Sequence, residues 1–470
     1  MREDLKVPGG TDLFCKNLVE TTYQDLSEEN VRIFKDRLLD ITGCMFGGAI
    51  VQEDAFLERR YKQWGGSGEA PLFASSGRLP LPVAAKLNCI KARANDFGCM
   101  LFRIFGEAIP SHMSETMIPL SLTLGDTFGV SGAQLITNDI VAEDFTARLL
   151  YSLPNRWPTD MLLGSSAAAA LAGRYYGLDA QQMKSALSYA ATNATDPANS
   201  YYDYCQEFKL HNGVSAETGI MSAEYAKGGW RGLEDPYFGH WGLISNHVKD
   251  GQLPPLYEKC FEDLGKVYFT EGGFKYGPGG IPTTAAAFCG KKLHQMLKEA
   301  YGTVDGAAIR QIRVFGAKNI YHGYYSNPFV LRDQINALFS YRFAASCATL
   351  NGKVGVDTVQ TAAIRADEHL VRLAESATMD IYEPEDGGRK MKVVAEMVDG
   401  RVFTAEESFM VMERYPTKEE LEDKFWAQFN AFGKLPKSNG EKIIELASKF
   451  EELSDVREYT ELLCVKEGAL

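Results

Sequence analysis

From about residue 12 to 265, apolar side chains recur three and four positions apart, as in Val31, Phe34, Leu38 and Leu39 and again in Met183, Leu187, Tyr189 and Ala190. That spacing brings an apolar group back to one helix face at each turn. Strand-like alternation is nearly absent from the stretch, so it is expected to fold as an all-α unit. Two of its segments, Gly164 to Gly173 and Gly213 to Ala226, are dominated by Gly, Ala and Ser. They predict helices whose backbones approach one another closely.

After Tyr268 the pattern changes. Ile309 to Phe315 alternates apolar and polar residues, and Lys392 to Phe403 reads as a hairpin turning at Asp399-Gly400. Helical stretches near 282 to 300, 331 to 350 and 356 to 375 lie between them. Helical character returns at Thr417-Lys418-Glu419-Glu420, a capping-box spacing. A chain of 470 residues exceeds what one core normally supports, about 250 to 300 residues. The expected architecture is therefore mainly α: a large helical domain made of residues 1–267 and 416–470, with a smaller α+β lid domain, 268–415, inserted between them.

Net charge is −13, which argues against nucleic acid or an anionic membrane surface as a partner, because both select clustered Lys and Arg. No apolar run approaches the roughly 20 residues needed to cross a bilayer. The N-terminus, Met1-Arg2-Glu3-Asp4, is charged and leads into no apolar signal segment. The nine cysteines are scattered without a CxxC, and the seven histidines show no metal-ligand spacing. A reducing, cytoplasmic and metal-free setting is expected.

Three distant segments each join small residues to groups that carry protons or charge. Ala92-Arg93-Ala94-Asn95-Asp96-Phe97-Gly98 leads to Ser111-His112-Met113-Ser114. Lys209-Leu210-His211-Asn212-Gly213 follows a Gly- and Ala-rich helix. Gly272-Gly273-Phe274-Lys275-Tyr276-Gly277-Pro278 is the third. Small residues allow backbone to approach a ligand, while carboxylate, imidazole and amine move protons and stabilise charge. Each group also has a purely structural reading. Asp96 can cap a helix or pair with Arg93, His112 can be a satisfied turn residue, and Lys275 can be a solvated loop lysine.

Read in order, these segments resemble the MmgE/PrpD family, which groups 2-methylcitrate dehydratase, cis-aconitate decarboxylase and iminodisuccinate epimerase. Further pieces in the same order are Asp40-Ile41-Thr42-Gly43-Cys44, the Gly-rich run after Trp64, residues 156 to 180 and 205 to 235, Pro328 to Arg342, and Tyr415 to Phe425. The resemblance implies a homodimer with an active site between a helical domain and a lid, using no metal or organic cofactor. It also implies small di- or tricarboxylate substrates and chemistry at a carbon beside a carboxylate. The modal activity is dehydration by a cofactor-independent lyase, with epimerisation, decarboxylation or a catalytically silent carboxylate binder as alternatives.

Carried onto this chain, the resemblance assigns chemistry to Asp96, His112, Lys209, Lys275 and Tyr321, and substrate binding to Arg93, Ser114, Arg156 and Tyr325. Lys209 and Lys275 would hold developing enolate charge. His112 would shuttle protons, with Asp96 orienting it or acting as a base. Arg156 would clamp a carboxylate, and a phenol from Tyr321, Tyr324 or Tyr325 would reach in from the lid. The chain departs from the pattern in three places. Gly98-Cys99-Met100 replaces further aspartates and a threonine, Trp157 stands where a histidine is usual, and Lys209 is displaced one position by Phe208.

Overall fold

A computed structural model describes residues 9–66, 68–153, 159–194, 203–248, 253–316, 330–381, 390–408 and 414–466. Arg156, Trp157, Tyr321, Tyr324 and Tyr325 lie outside the described residues. The described chain is mainly helical. It begins with α1 (Gly10–Glu20), α2 (Glu28–Gly48), α3 (Gln52–Trp64), α4 (Leu81–Arg93), α5 (Ser114–Phe128), α6 (Gly132–Ser152), α7 (Thr159–Tyr175), α8 (Ala180–Thr192) and α9 (Glu207–Lys227). Local chemistry sets where several of these start. Ser27 accepts the N–H of Asn30 at the head of α2, and Ser131 accepts that of Gln134 at the head of α6.

The middle of the chain adds α10 (Ile281–Tyr301), α11 (Gln334–Leu338), α12 (Tyr341–Asn351), α13 (Thr361–Ala366) and α14 (Glu368–Ser376). Its end adds α15 (Lys418–Phe432), α16 (Lys437–Ser448) and α17 (Arg457–Thr460). The expected capping box is present at α15, where Thr417 and Glu420 exchange side-chain and backbone hydrogen bonds. No helix among the described residues is long and apolar enough to cross a membrane.

Three small sheets accompany the helices. The first pairs β1 (Ala70–Pro71) with β2 (Arg78–Leu79). The second has the order β4 (Glu107–Ile109), β3 (Met100–Ile104), β5 (Glu271–Gly273), all antiparallel. The third has four strands and contains β6 (Ile309–Gly316), β7 (Thr378–Ile381), β8 (Lys390–Met397) and β9 (Val402–Ser408) in the order β7-β6-β8-β9. β8 and β9 form the hairpin expected around Asp399-Gly400, with Gly400 at φ +88°. β6 carries the alternation seen in sequence, burying Ile309, Ile312 and Val314.

The expectation of a purely helical stretch up to residue 265 is corrected by β1 to β4, which all lie inside it. Each spans between two and five residues. An alternation with period two does not emerge from segments that short.

Buried apolar side chains gather into two main cores. The larger draws on α1 to α9 and on α15 to α17, so Phe425, Ile443, Phe450 and Tyr459 pack with Phe14, Phe34 and Leu122. The second holds Leu293, Ile312, Phe343, Leu373 and Val393, from α10, β6, α12, α14 and β8. Phe208, at the head of α9, packs into this second core and meets Phe339 edge-on with ring centroids 5.3 Å apart. Two small clusters, Cys44–Phe97–Val356 and Cys99–Phe274–Leu421, lie apart from both. They flank the segments that carry Asp96 and Lys275.

The glycine-rich helices pack as tightly as their composition predicts. A Cβ on Gly219 of α9 would overlap the backbone of Ala168 in α7, and one on Gly213 would lie 2.7 Å from the carbonyl oxygen of Lys86 in α4. Backbone cannot rotate away as a side chain can. Gly219→Val is therefore expected to lower stability by about 1–3 kcal/mol through overpacking, read as a drop in the urea midpoint. Gly272→Ala, where no atom lies within 4 Å of the added carbon, should change it by less than about 0.5 kcal/mol. Equal midpoints for the two variants would show that the α7–α9 contact is looser than described.

Candidate active site

The turn after α4 carries the first group. Arg93 closes that helix, where a cation is favoured by the carbonyl end of the dipole, and the chain then bends sharply enough to place Asp96 at φ +47°. Left-handed backbone is uncommon outside glycine, although aspartate tolerates it better than most residues, and it persists where surrounding contacts over-determine it. Here the carbonyl of Asp96 accepts from Lys275 Nζ at 3.0 Å and from Gly279 N at 3.1 Å. Gly279 is itself at φ +100° against the carbonyl of Leu338. No side chain fits there.

β3 and β5 are the reason residues so distant in sequence meet. β3 begins four residues after Asp96 and β5 ends two residues before Lys275, and the strands pair with Met100 opposite Gly273. The Lys275 ammonium lies 2.5 Å from Asp96 Oδ1, and Arg93 Nη1 binds the same oxygen. Lys275 and Asp96 are each 2% exposed and Arg93 1%. The lysine in the Gly- and Pro-rich loop is therefore a buried ion-pair partner and not a solvated surface group.

His112 completes the cluster from the other side. Its Nδ1 is 3.4 Å from Glu115 Oε2 and 3.9 Å from Asp96 Oδ1, and its backbone carbonyl is held by Asn212 Nδ2 at 3.0 Å. Glu115 bridges the groups: Oε2 is 3.2 Å from Arg93 Nη1, and Oε1 accepts the N–H of Gly98 at 2.9 Å. A Cβ at position 98 would lie 2.5 Å from Glu115 Cγ, so glycine here is what lets this carboxylate approach. Glu115 was not among the residues singled out from sequence. Its spacing from His112, three positions on at the start of α5, is the one signal that could have found it.

The electrostatics follow from burial and neighbours. Burial alone would raise the Asp96 carboxyl, but Lys275 and Arg93 hold it well below its ordinary value. Glu115 is likewise pushed up by burial and brought down, on balance, by Arg93 and His112. Lys275 does not mirror its partner, because burial lowers the ammonium and repulsion from Arg93 outweighs part of what Asp96 restores. Atoms of Asp96, His112 and Glu115 lie within 4.8 Å of one another, a spacing at which an ion can be held. Asp96 Oδ1 already receives two cationic donors.

Two expected site residues are used elsewhere. Ser114 Oγ accepts from Arg37 Nε at 3.0 Å, and Arg37 pairs with Asp139 and Glu143 in a wholly buried group. The head of α5 is not left open for a ligand carboxylate: Glu271 accepts the N–H groups of Met113 (2.8 Å) and Ser114 (2.7 Å). Lys209 lies outside the cluster, and its ammonium donates to Gln334 Oε1 at 2.8 Å. Gln334 Nε2 in turn donates to Asn95 Oδ1 at 2.6 Å, and Gln360 reaches the same oxygen at 3.3 Å. Lys424 binds the turn from α15, donating to the Phe97 carbonyl at 2.6 Å and pairing with buried Asp40. Asn95, Gln334 and Lys424 lie in segments that carry the resemblance but were assigned no role there, and Gln360 lies outside those segments.

The arrangement can move a proton at His112 beside two carboxylates, with two fixed cations within the same buried space. The MmgE/PrpD N-terminal domain matches residues 13–255, which include Arg93, Asp96, His112 and Glu115. The cis-aconitate decarboxylase of Homo sapiens is 23% identical over 460 residues, covering 93% of this chain and 91% of that protein. The cis-aconitate decarboxylase of Mus musculus is 22% identical over 475 residues, covering 96% and 93%. With more than half of its length matched by the family's own domain, the chain belongs to the MmgE/PrpD family.

Proposed function

We propose that the protein is a cofactor-independent lyase that removes or returns a proton beside a carboxylate of a small di- or tricarboxylate, with loss of water as the overall reaction. The observation that carries this reading is the buried cluster of His112, Asp96, Glu115, Arg93 and Lys275. His112 Nδ1 faces Glu115 and Asp96, which leaves Nε2 for the substrate C–H. When the ring takes that proton, the two carboxylates stabilise the imidazolium. The enolate that forms needs fixed positive charge, and Lys275 and Arg93 supply it without reorganising; its collapse to the alkene breaks the bond to the hydroxyl on the next carbon, which takes the proton back from the His112 imidazolium and leaves as water. In this reading the second core acts as the lid, and Gln334 and Gln360 tie it to the catalytic turn through Asn95. No disulfide joins any of the nine cysteines, which suits the reducing cytoplasm proposed for the reaction.

Decarboxylation is the second reading, favoured by whole-length similarity to two cis-aconitate decarboxylases. Both reactions share the proton transfer and differ in the bond that breaks. Incubating the protein in D2O with citrate, methylcitrate, aconitate and iminodisuccinate should label the carbon beside a carboxylate. His112→Ala or Lys275→Ala is expected to slow that exchange by about 10²–10⁴. Formation of an unsaturated acid from a hydroxy acid marks dehydration, and release of CO2 marks decarboxylation. Exchange that persists unchanged in both variants would remove His112 and Lys275 from the chemistry.

Treatment with EDTA is expected to leave the exchange rate unchanged, because Arg93 and Lys275 neutralise the carboxylates that would otherwise bind an ion. A loss reversed by adding a divalent cation would reassign Asp96, His112 and Glu115 as metal ligands.

The depressed carboxyl of Asp96 also sets a pH dependence. A carboxylate held below its unfolded value contributes stability above that value and loses it as pH falls toward the folded one. Asp96→Asn strands the buried ammonium of Lys275 and leaves Arg93 paired with Glu115, and should cost about 3–5 kcal/mol near neutral pH. Its deficit against wild type, measured by urea unfolding, should be full above the ordinary aspartate value of 3.8 and shrink at lower pH. A deficit that stays constant into strong acid would mean that the ion pairs contribute nothing.

A further inference from the structure

Lys209 faces a cavity separate from the cluster. A cleft of about 690 Å3 opens between α3, the first turn of α9 and α13. Phe56, Leu57, Ile90 and Leu210 give it an apolar wall. Two charged side chains reach it while being almost wholly withdrawn from solvent, Lys209 at 2% and Asp54 at 5% exposed. None of the residues lining it belongs to the Asp96, His112 and Glu115 group.

The two polar groups are under-used by the protein. Lys209 donates to Gln334, which takes one of its three donors. Asp54 Oδ2 is buried and has no hydrogen-bond partner among the described residues. Burial pushes this carboxyl up to about 6, and the charges of Lys209 and Lys91 oppose that rise while Glu53 adds to it. Leaving such an acceptor unsatisfied is unfavourable, because it has given up its water for no partner. As a structural element alone the pair is a liability. It complements a ligand that brings a donor to Asp54, an anionic acceptor to Lys209 and an apolar chain to Phe56 and Leu210.

We propose that this cleft binds a small organic acid with an apolar chain and a hydroxyl or ammonium beside its carboxylate, the carboxylate resting on Lys209 and the neighbouring donor on Asp54. The pocket is independent of the reaction proposed at His112. A site that satisfies a ligand's donor rejects the analogue lacking it, because its own buried acceptor is then left bare.

The test is titration of the full-length protein with 2-hydroxy-4-methylpentanoate, leucine and 4-methylpentanoate, by calorimetry or ligand-observed NMR. The hydroxy acid or leucine should bind at least about tenfold more tightly than 4-methylpentanoate. Asp54→Leu should erase the preference, and because it removes an unsatisfied buried acceptor it should not lower the melting temperature. Asp54→Asn, whose amide oxygen still accepts, should keep binding of the hydroxy acid and weaken leucine, which separates the two ligand types. Lys209→Met should weaken all three acids by about tenfold or more. His112→Ala should leave every affinity unchanged even where it abolishes deuterium exchange, so failure of the pocket and failure of the catalytic reading are distinguishable. Equal affinity for the three acids, no saturable binding of any of them, or a preference that survives Asp54→Leu overturns the proposal.

Discussion

The carboxylate of Asp96 is the point on which the site is built. One oxygen, Oδ1, receives the guanidinium of Arg93 and the ammonium of Lys275, which enters from 179 residues away. Charges this deeply buried are costly unless compensated, and here each is answered within the group. The same aspartate offers its backbone carbonyl to Lys275 and Gly279, so the ion pair and the left-handed turn hold each other. The strain of that turn is paid for by the contacts that make the site.

Around this point the fold supplies short, rigid connections. β3 and β5 bring the two charged segments side by side, and Glu271, in β5, caps α5 so that His112 and Glu115 are delivered by a fixed helix start. Gly98 admits the Glu115 carboxylate at hydrogen-bond distance. From the second core, Gln334 and Gln360 meet Asn95. From the C-terminal helices, Lys424 meets Phe97. Backbone and side chains from across the whole chain thus converge on residues 93 to 98, as preorganised electrostatics requires.

Much of this architecture was legible before any coordinates. The three- and four-residue spacing marked the helices, the Gly-Ala runs marked α7 and α9 as closely packed, and Asp399-Gly400 and Thr417-Glu420 marked a hairpin and a helix start that the structure contains. Of the candidate residues, Arg93, Asp96, His112 and Lys275 do meet. Strands β1 to β4 escaped detection because they are too short for alternation to register. Glu115 escaped because a lone glutamate in a first helical turn is ordinary, and its role depends on a glycine seventeen residues earlier.

Sequence by itself determined the local terms: helix faces, turn residues, caps, and which segments carry groups able to move protons. These depend on neighbours a few positions apart, so they can be read along the chain. Tertiary structure decided which of those groups share a space. It turned Ser114 toward Arg37 and Lys209 toward the cleft beside Asp54, and it buried Lys275 against Asp96. The reason is that desolvation and charge pairing act between groups brought together by packing, and a pairing across 179 residues leaves no trace in the spacing of either segment.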